Sequence, residues 1–119
     1  MPTPKRLKGQ SPAHAHAPYQ ERALAKKLGG RVTPGSGNGA EKGDVRNFRF
    51  VRAECKCTAH DSFSITRDIL FKLDKLGMTT EEIPFMEIKL GIDSQGKHKA
   101  AFVVMPAWFI DIVKEKLNL

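Results

Sequence analysis

The sequence predicts an α/β domain: a central mixed sheet of about five strands flanked by helices. Three observations predict it. Helical spacing of apolar residues appears at Leu24 and Leu28, and again from Ile65 through Ile69, Leu73 and Leu76. Runs of strand length stand between those helices and after them, at Phe48–Cys57, Ile83–Leu90 and Ala100–Met105. Glycine and proline punctuate the boundaries, at Gly29-Gly30, Gly77, Gly96 and Pro106. With 119 residues, 40% of them hydrophobic, the chain can build one domain around one core.

The elements follow in order. Met1–Ala17 is rich in proline, basic residues and alternating alanine and histidine, and has no periodicity. It reads as a flexible basic N-terminal arm, either a phosphate-backbone contact or a tail with no role. Residues 18–119 form the folded domain. Pro18–Leu28 reads as a helix, started by Pro18 and stopped by Gly29-Gly30. Arg31-Val32-Thr33 is a short strand that enters Pro34-Gly35-Ser36-Gly37-Asn38-Gly39. That loop lacks the Gly-Lys-Ser/Thr of a Walker loop. It is either a hairpin turn or a backbone cradle for phosphate. Gly43-Asp44-Val45 opens a strand ending near Asn47, and the next strand runs through Cys57. Ile65–Leu76 reads as a helix that Gly77 ends. Ile83–Leu90 is a strand and Asp93–Gly96 a turn. Ala100–Met105 is an apolar run expected to be covered on both faces. Ala107–Leu117 is an amphipathic helix, with Trp108, Phe109, Ile112 and Val113 expected to pack on the sheet.

Charge points to a partner. The formal net charge is +7, which favours a polyanion such as nucleic acid. No apolar run reaches the roughly 20 residues of a membrane span, and the N-terminal stretch has no apolar core of a secretory signal. Cys55 and Cys57 sit at i and i+2, too awkwardly placed to pair, so a reduced, cytoplasmic setting is expected.

One stretch carries chemistry. Along the strand through Cys57, period-two alternation puts Phe50, Arg52, Glu54 and Lys56 on one face, and Val51, Ala53, Cys55 and Cys57 on the other. The second set is small and apolar, so the first faces solvent or a cleft. With Asp44 on the partner strand of a hairpin, its carboxylate sits beside that of Glu54. Two carboxylates at close range repel unless a cation lies between them. Oxygen ligands with room for water and phosphate suit Mg2+. Lys56 then orients or activates a water. The ordinary reading of Glu54 and Lys56 in isolation is a surface ion pair. Cys55, Cys57 and His60 suggest zinc only weakly, since a fourth ligand is missing. Glu87-Ile88-Lys89 repeats the Glu-x-Lys pattern without an aspartate hairpin before it and is expected to be strand surface.

The Asp44, Glu54-x-Lys56 arrangement resembles the active site of the PD-(D/E)xK, or restriction-endonuclease-like, nuclease superfamily. The closer likeness is to archaeal-type Holliday-junction resolvases and their phage relatives. The matching parts, in order, are Glu21, Gly35-Ser36-Gly37, Asp44, Glu54 and Lys56, and the likeness runs from Pro18 to the C-terminus. The resemblance implies a restriction-endonuclease-like fold and a metal-dependent endonuclease that resolves four-way junctions in DNA recombination and repair. It implies Mg2+, with Mn2+ substituting, held by Asp44, Glu54 and the backbone carbonyl of Cys55. Glu21 becomes an outer carboxylate assisting the metal, where its ordinary explanation is a favourable charge in the first turn of a helix. Arg22, Lys26, Arg31, Gly35, Ser36, Gly37, Asn38, Lys42 and Ser62 become the DNA contacts. A homodimer follows from symmetric cutting, and the setting is the host cytoplasm if the chain is phage-encoded. Two alternatives stay open: a nuclease of the same superfamily for another substrate class, such as a nicking enzyme or a nuclease for linear or single-stranded DNA, and a non-catalytic basic DNA-binding protein of the same fold.

Overall fold

The computed structural model describes residues 12–33, 45–47, 50–80 and 82–119. It is α/β, with a five-stranded mixed sheet and three helices. In chain order the elements are α1 (Pro12–Leu28), β1 (Arg31–Val32), β2 (Val45–Asn47), β3 (Val51–Cys57), α2 (Arg67–Thr80), β4 (Ile83–Leu90), β5 (Ala100–Val104) and α3 (Phe109–Lys116). Strand order in the sheet is β1-β2-β3-β4-β5. All neighbours are antiparallel except β3 and β4, which are parallel. That single parallel pair requires a crossover, and α2 supplies it.

The two faces of the sheet bury different sets. Under α1, Leu24 and Ala25 pack on Val45, Ala53 and Phe85, with Val51 and Cys55 beside them. Under α2, Leu73 packs on Met86 and Ile88, with Ile69, Leu90 and Val104 around it. The odd positions of β3 therefore face α1, and its even positions face the α2 side.

Several boundaries differ from the expected ones, each for a physical reason. α1 starts six residues before Pro18. The stretch Pro12–Ala17, expected as part of the arm, is helical, and Ala15 and His16 are buried. Pro18 sits inside the helix with its ring exposed, where it removes one backbone donor without meeting the sheet. Residues 1–11 of the expected arm lie outside the described residues. Gly29, at φ +67°, ends α1 as expected. Gly77 does not end α2; it lies buried inside it. A Cβ there would stand 2.5 Å from the Cγ and Cδ atoms of Pro84. Its glycine lets the helix press against β4.

β5 corrects another expectation. Ala101, Phe102 and Val103 are exposed, with Phe102 at 61%. The run is apolar, yet β5 is the last strand of the sheet and α3 does not cover it. None of the residues of α3 is buried, so Phe109, Ile112 and Val113 do not form the expected core layer. Trp108 is partly exposed, and its indole N–H donates to Asp74 Oδ1 at 3.0 Å, fixing the start of α3 beside α2. The Asp93–Gly96 turn is as expected: Asp93 Oδ1 accepts the backbone N–H groups of Lys97 and Gln95, which hold its carboxyl below the usual range.

Candidate active site

The β2–β3 hairpin is present. Val45 pairs with Ala53, Arg46 with Arg52 and Asn47 with Val51, and the Phe50 N–H donates to the Asn47 carbonyl at 3.0 Å to close the turn. β3 is the middle strand of the sheet, so its backbone is fixed by ladders on both sides. A residue on it is held more firmly than one on a loop.

Glu54 and Lys56 share the α2 face of β3. The Lys56 ammonium donates to Glu54 Oε1 at 2.8 Å, and the two side chains are 36% and 40% exposed. An ion pair at that exposure contributes under about 1 kcal/mol. It can therefore open at little cost when another cation or an anion competes. Arg52 departs from the expected exposed face: it is only 2% exposed. On the α2 face of β3, Arg52 is thus closed in while Glu54 and Lys56 are half-exposed. Next to Arg52 across the ladder, Arg46 donates from Nε and Nη2 to Glu82 Oε1 at 3.1 and 2.5 Å. Glu82 is buried, and its side chain offsets one of two arginines that stand directly opposite each other. Glu82 carries no motif that would reveal it in the sequence.

Glu21 sits on the other layer. Its charge, after burial and Glu87, helps push the Cys55 thiol up to about 12, and it also raises that of Cys57. Both cysteines are odd positions of β3, so Glu21 lies over the α1 face, with Glu54 and Lys56 on the opposite one. The sheet separates them. Glu87 and Lys89 lie on the α1 face too. Glu87 is half-buried rather than open strand surface, and its Oε1 accepts a hydrogen bond from Gln20 Nε2 at 3.1 Å.

Gln20 is the residue that sequence reasoning missed. It is 1% exposed, and its Nε2 also donates to the Lys56 carbonyl at 3.1 Å and approaches the Glu87 carbonyl at 3.3 Å. One amide thus ties α1 to β3 and β4 at the level of Lys56. A signal was available, because Gln20, Leu24 and Leu28 are spaced four apart on one helical stripe. Nearby, neither ring nitrogen of buried His16 has a hydrogen-bond partner among the described residues, and the ring stacks on Tyr19. Burial first, then Lys89 and His98, lower its pKa below the usual value.

Of the expected DNA contacts, Arg22, Lys26, Arg31 and Ser62 are exposed. Arg22 lies 4.8 Å over the Tyr19 ring. Arg31 lines a groove of about 290 Å³ with Gly29, Gly30, Arg46 and Asn47. Gly35, Ser36, Gly37, Asn38, Lys42 and Asp44, the last expected as a metal ligand, lie outside the described residues. Among the described residues, no three His, Cys, Asp or Glu side chains converge as a metal-holding group, and no helix is long and apolar enough to cross a membrane. Neither Cys55 nor Cys57 is in a disulfide, and both are partly buried. Comparison with known proteins returns no matching family model, no matching curated protein and no matching solved structure.

Proposed function

We propose that the protein is a metal-dependent, structure-selective DNA endonuclease, a PD-(D/E)xK-type enzyme acting on four-way junctions. One observation carries the reading: a β-hairpin delivers Glu54 and Lys56, adjacent and half-exposed, on one face of the middle strand. The proposal requires Asp44, which lies outside the described residues, to stand beside Glu54. The net charge of +7 and the exposed Arg22, Lys26 and Arg31 suit a DNA backbone.

The donors fit a hard divalent cation. Glu54 offers carboxylate oxygen at a half-exposed position, and the Lys56 side chain is flexible enough to swing off it. Asp44, Glu54 and the Cys55 carbonyl would hold Mg2+ or Mn2+, which supplies a more acidic water and charge stabilisation at the phosphoryl oxygen. Lys56, displaced from Glu54, is then free to hold the water or meet charge on the phosphate. Glu21 would act only from the far layer, as an outer charge. Burial of Arg52 beside the site keeps a fixed cation under the hairpin.

A second reading, a non-catalytic DNA-binding protein of this architecture, is favoured by the closed Glu54–Lys56 pair, which needs no chemistry to explain it. Incubating the protein with a labelled four-way junction or a matched linear duplex, in Mg2+, Mn2+ or EDTA, separates the readings. Paired, metal-dependent incisions on the junction alone, lost in Glu54→Ala and Lys56→Ala, are the expected result. Equal cutting of both DNAs keeps the nuclease and removes junction selectivity. Binding without incision in every metal supports the second reading.

A further inference from the structure

α1 is seated on the sheet by two sets of residues, and Pro18 stands between them. After Pro18, Gln20, Leu24 and Ala25 are buried, and the Gln20 amide donates to β3 and β4. Before Pro18, the buried side chains among the described residues are Ala15 and His16. The His16 ring contributes no hydrogen bond there, since neither nitrogen has a partner among the described residues. Pro18 has no N–H, so the bond it would give to the carbonyl four residues earlier is missing. The helical ladder is therefore thinnest where the two segments join. Pro12–Ala17 rests on the fit of one alanine and one imidazole.

The surroundings of that imidazole suit only its uncharged form. The charges that act on it across the layer are Lys89 on β4 and His98 between β4 and β5. The one acidic residue of β4, Glu87, accepts from Gln20, a turn further along α1. The one acidic residue of β3, Glu54, lies on the other face and is paired with Lys56. Cys57, on the α1 face, is kept as a thiol by burial. β1 and β2 have arginines and no acid. On α1 itself, His16 stacks on Tyr19, whose ring already has the Arg22 guanidinium 4.8 Å from its centroid. Glu21, the one acid of α1, acts on Cys55 and Cys57. A proton on His16 thus sets a buried charge against Lys89 and His98, and a buried charge without a partner costs far more than a buried neutral ring.

We propose that α1 is hinged at Pro18, and that Pro12–Ala17 lifts from the sheet when His16 takes up a proton, leaving Gln20–Leu28 in place. Lifting brings the imidazolium into water and away from Lys89. Only the seats of Ala15 and His16 are given up, while the bonds from Gln20 to the Lys56 carbonyl and to Glu87 hold the remainder. The neutral ring is the form that fits. The segment is therefore seated above pH 6.5, the ordinary histidine value, and lifts as pH falls toward the value at which the folded ring protonates. The hinge does not depend on the nuclease reading.

Amide hydrogen exchange followed by NMR, corrected for the intrinsic effect of pH on exchange, tests this on the whole chain without substrate. The His16 and Ala17 amides are helix-bonded within the segment and report its lifting. The Leu24 and Leu28 amides report the remainder. Between pH 6.5 and about pH 5, protection at His16 and Ala17 is expected to fall by up to about tenfold per pH unit, with Leu24 and Leu28 unchanged. His16→Phe is expected to hold that protection constant over the range. Pro18→Ala, at an exposed position, restores the missing bond and is expected to raise protection at His16 and Ala17 by about tenfold or more at each pH. An equal loss at Leu24 and Leu28 overturns the hinge, because the helix then leaves as one unit. So does Pro18→Ala without effect on the segment. Protection at His16 and Ala17 that does not change with pH overturns the proton as the trigger, as does an equal loss in folded His16→Phe. If His16→Phe does not fold, the wild type and Pro18→Ala decide.

Discussion

Glu54-Cys55-Lys56 and Glu87-Ile88-Lys89 are the same pattern on two adjacent parallel strands, and they end up on opposite faces of one sheet. The register pairs Cys55 with Glu87 and Lys56 with Ile88, an offset of one residue. With a side-chain period of two, a one-residue offset exchanges the faces. Glu54 and Lys56 therefore meet each other at a half-exposed position. Glu87 is turned under α1, where Gln20 donates to its carboxylate. A motif is thus given its chemistry by the face it lands on, and its spacing alone does not distinguish an open pair from one enclosed in a layer.

Exchanging the two is the strongest way to break the comparison. Glu54→Ala is expected to lower single-turnover junction incision by about 10²–10³-fold, the loss typical of removing one group that stabilises transition-state charge. Glu87→Ala is expected to leave the rate within about threefold. Equal losses would place both glutamates in one site and contradict the separation by the sheet.

Removal of the buried anion behind the Glu54 face comes next. Glu82→Ala removes the buried carboxylate to which Arg46 donates, and breaking a buried pair on one side typically costs about 3–5 kcal/mol. Urea unfolding is the measurement, and a change below about 1 kcal/mol would mean the pair is solvated. On the Glu87 face, Gln20→Ala deprives the Lys56 carbonyl and the Glu87 carboxylate of a buried donor. A loss of about 1–3 kcal/mol is expected. Gly77→Ala should cost about 1–2 kcal/mol: the added methyl meets the rigid Pro84 ring, which outweighs the better helix propensity of alanine.

The smallest effect is a pH response confined to the Glu87 face. Burial, Lys89 and His98 hold His16 below its ordinary pKa of 6.5. Below pH 6.5 the unfolded chain takes up a proton at this position that the folded chain resists. Stability contributed here is therefore full above 6.5 and falls as pH drops toward the folded value. The melting temperature should decline over that window in the wild type and less in His16→Phe. A decline of equal size in both would assign the response to other groups.

How much could be read in advance depended on how local the cause was. Ile83–Leu90 is legible to the residue, and the pairing of a short strand ending at Asn47 with the strand through Cys57 is legible as well, because alternation and turn chemistry are properties of neighbours in sequence. The pairing of Glu54 with Lys56 follows from the same alternation. Gly77 was misread as a stop because its reason for being glycine, the Pro84 ring, comes from another element. The apolar run of β5 was expected in the core because apolarity says that a strand will be covered, and not by what. Arg52 and Gln20 are buried polar residues, and burial of a polar side chain depends on partners brought from elsewhere in the chain.

The sequence by itself determined the α/β class, the strand and helix order, the basic charge and the adjacency of Glu54 and Lys56. Each of these is set by composition or by a period of two or 3.6 residues. Only the tertiary structure decided which Glu-x-Lys is open, that Glu21 lies across the sheet from Glu54, and that none of the described elements buries the outer residues of β5 and α3. Those outcomes depend on strand order and register, which are set by contacts between residues far apart in the chain, and no local period encodes them.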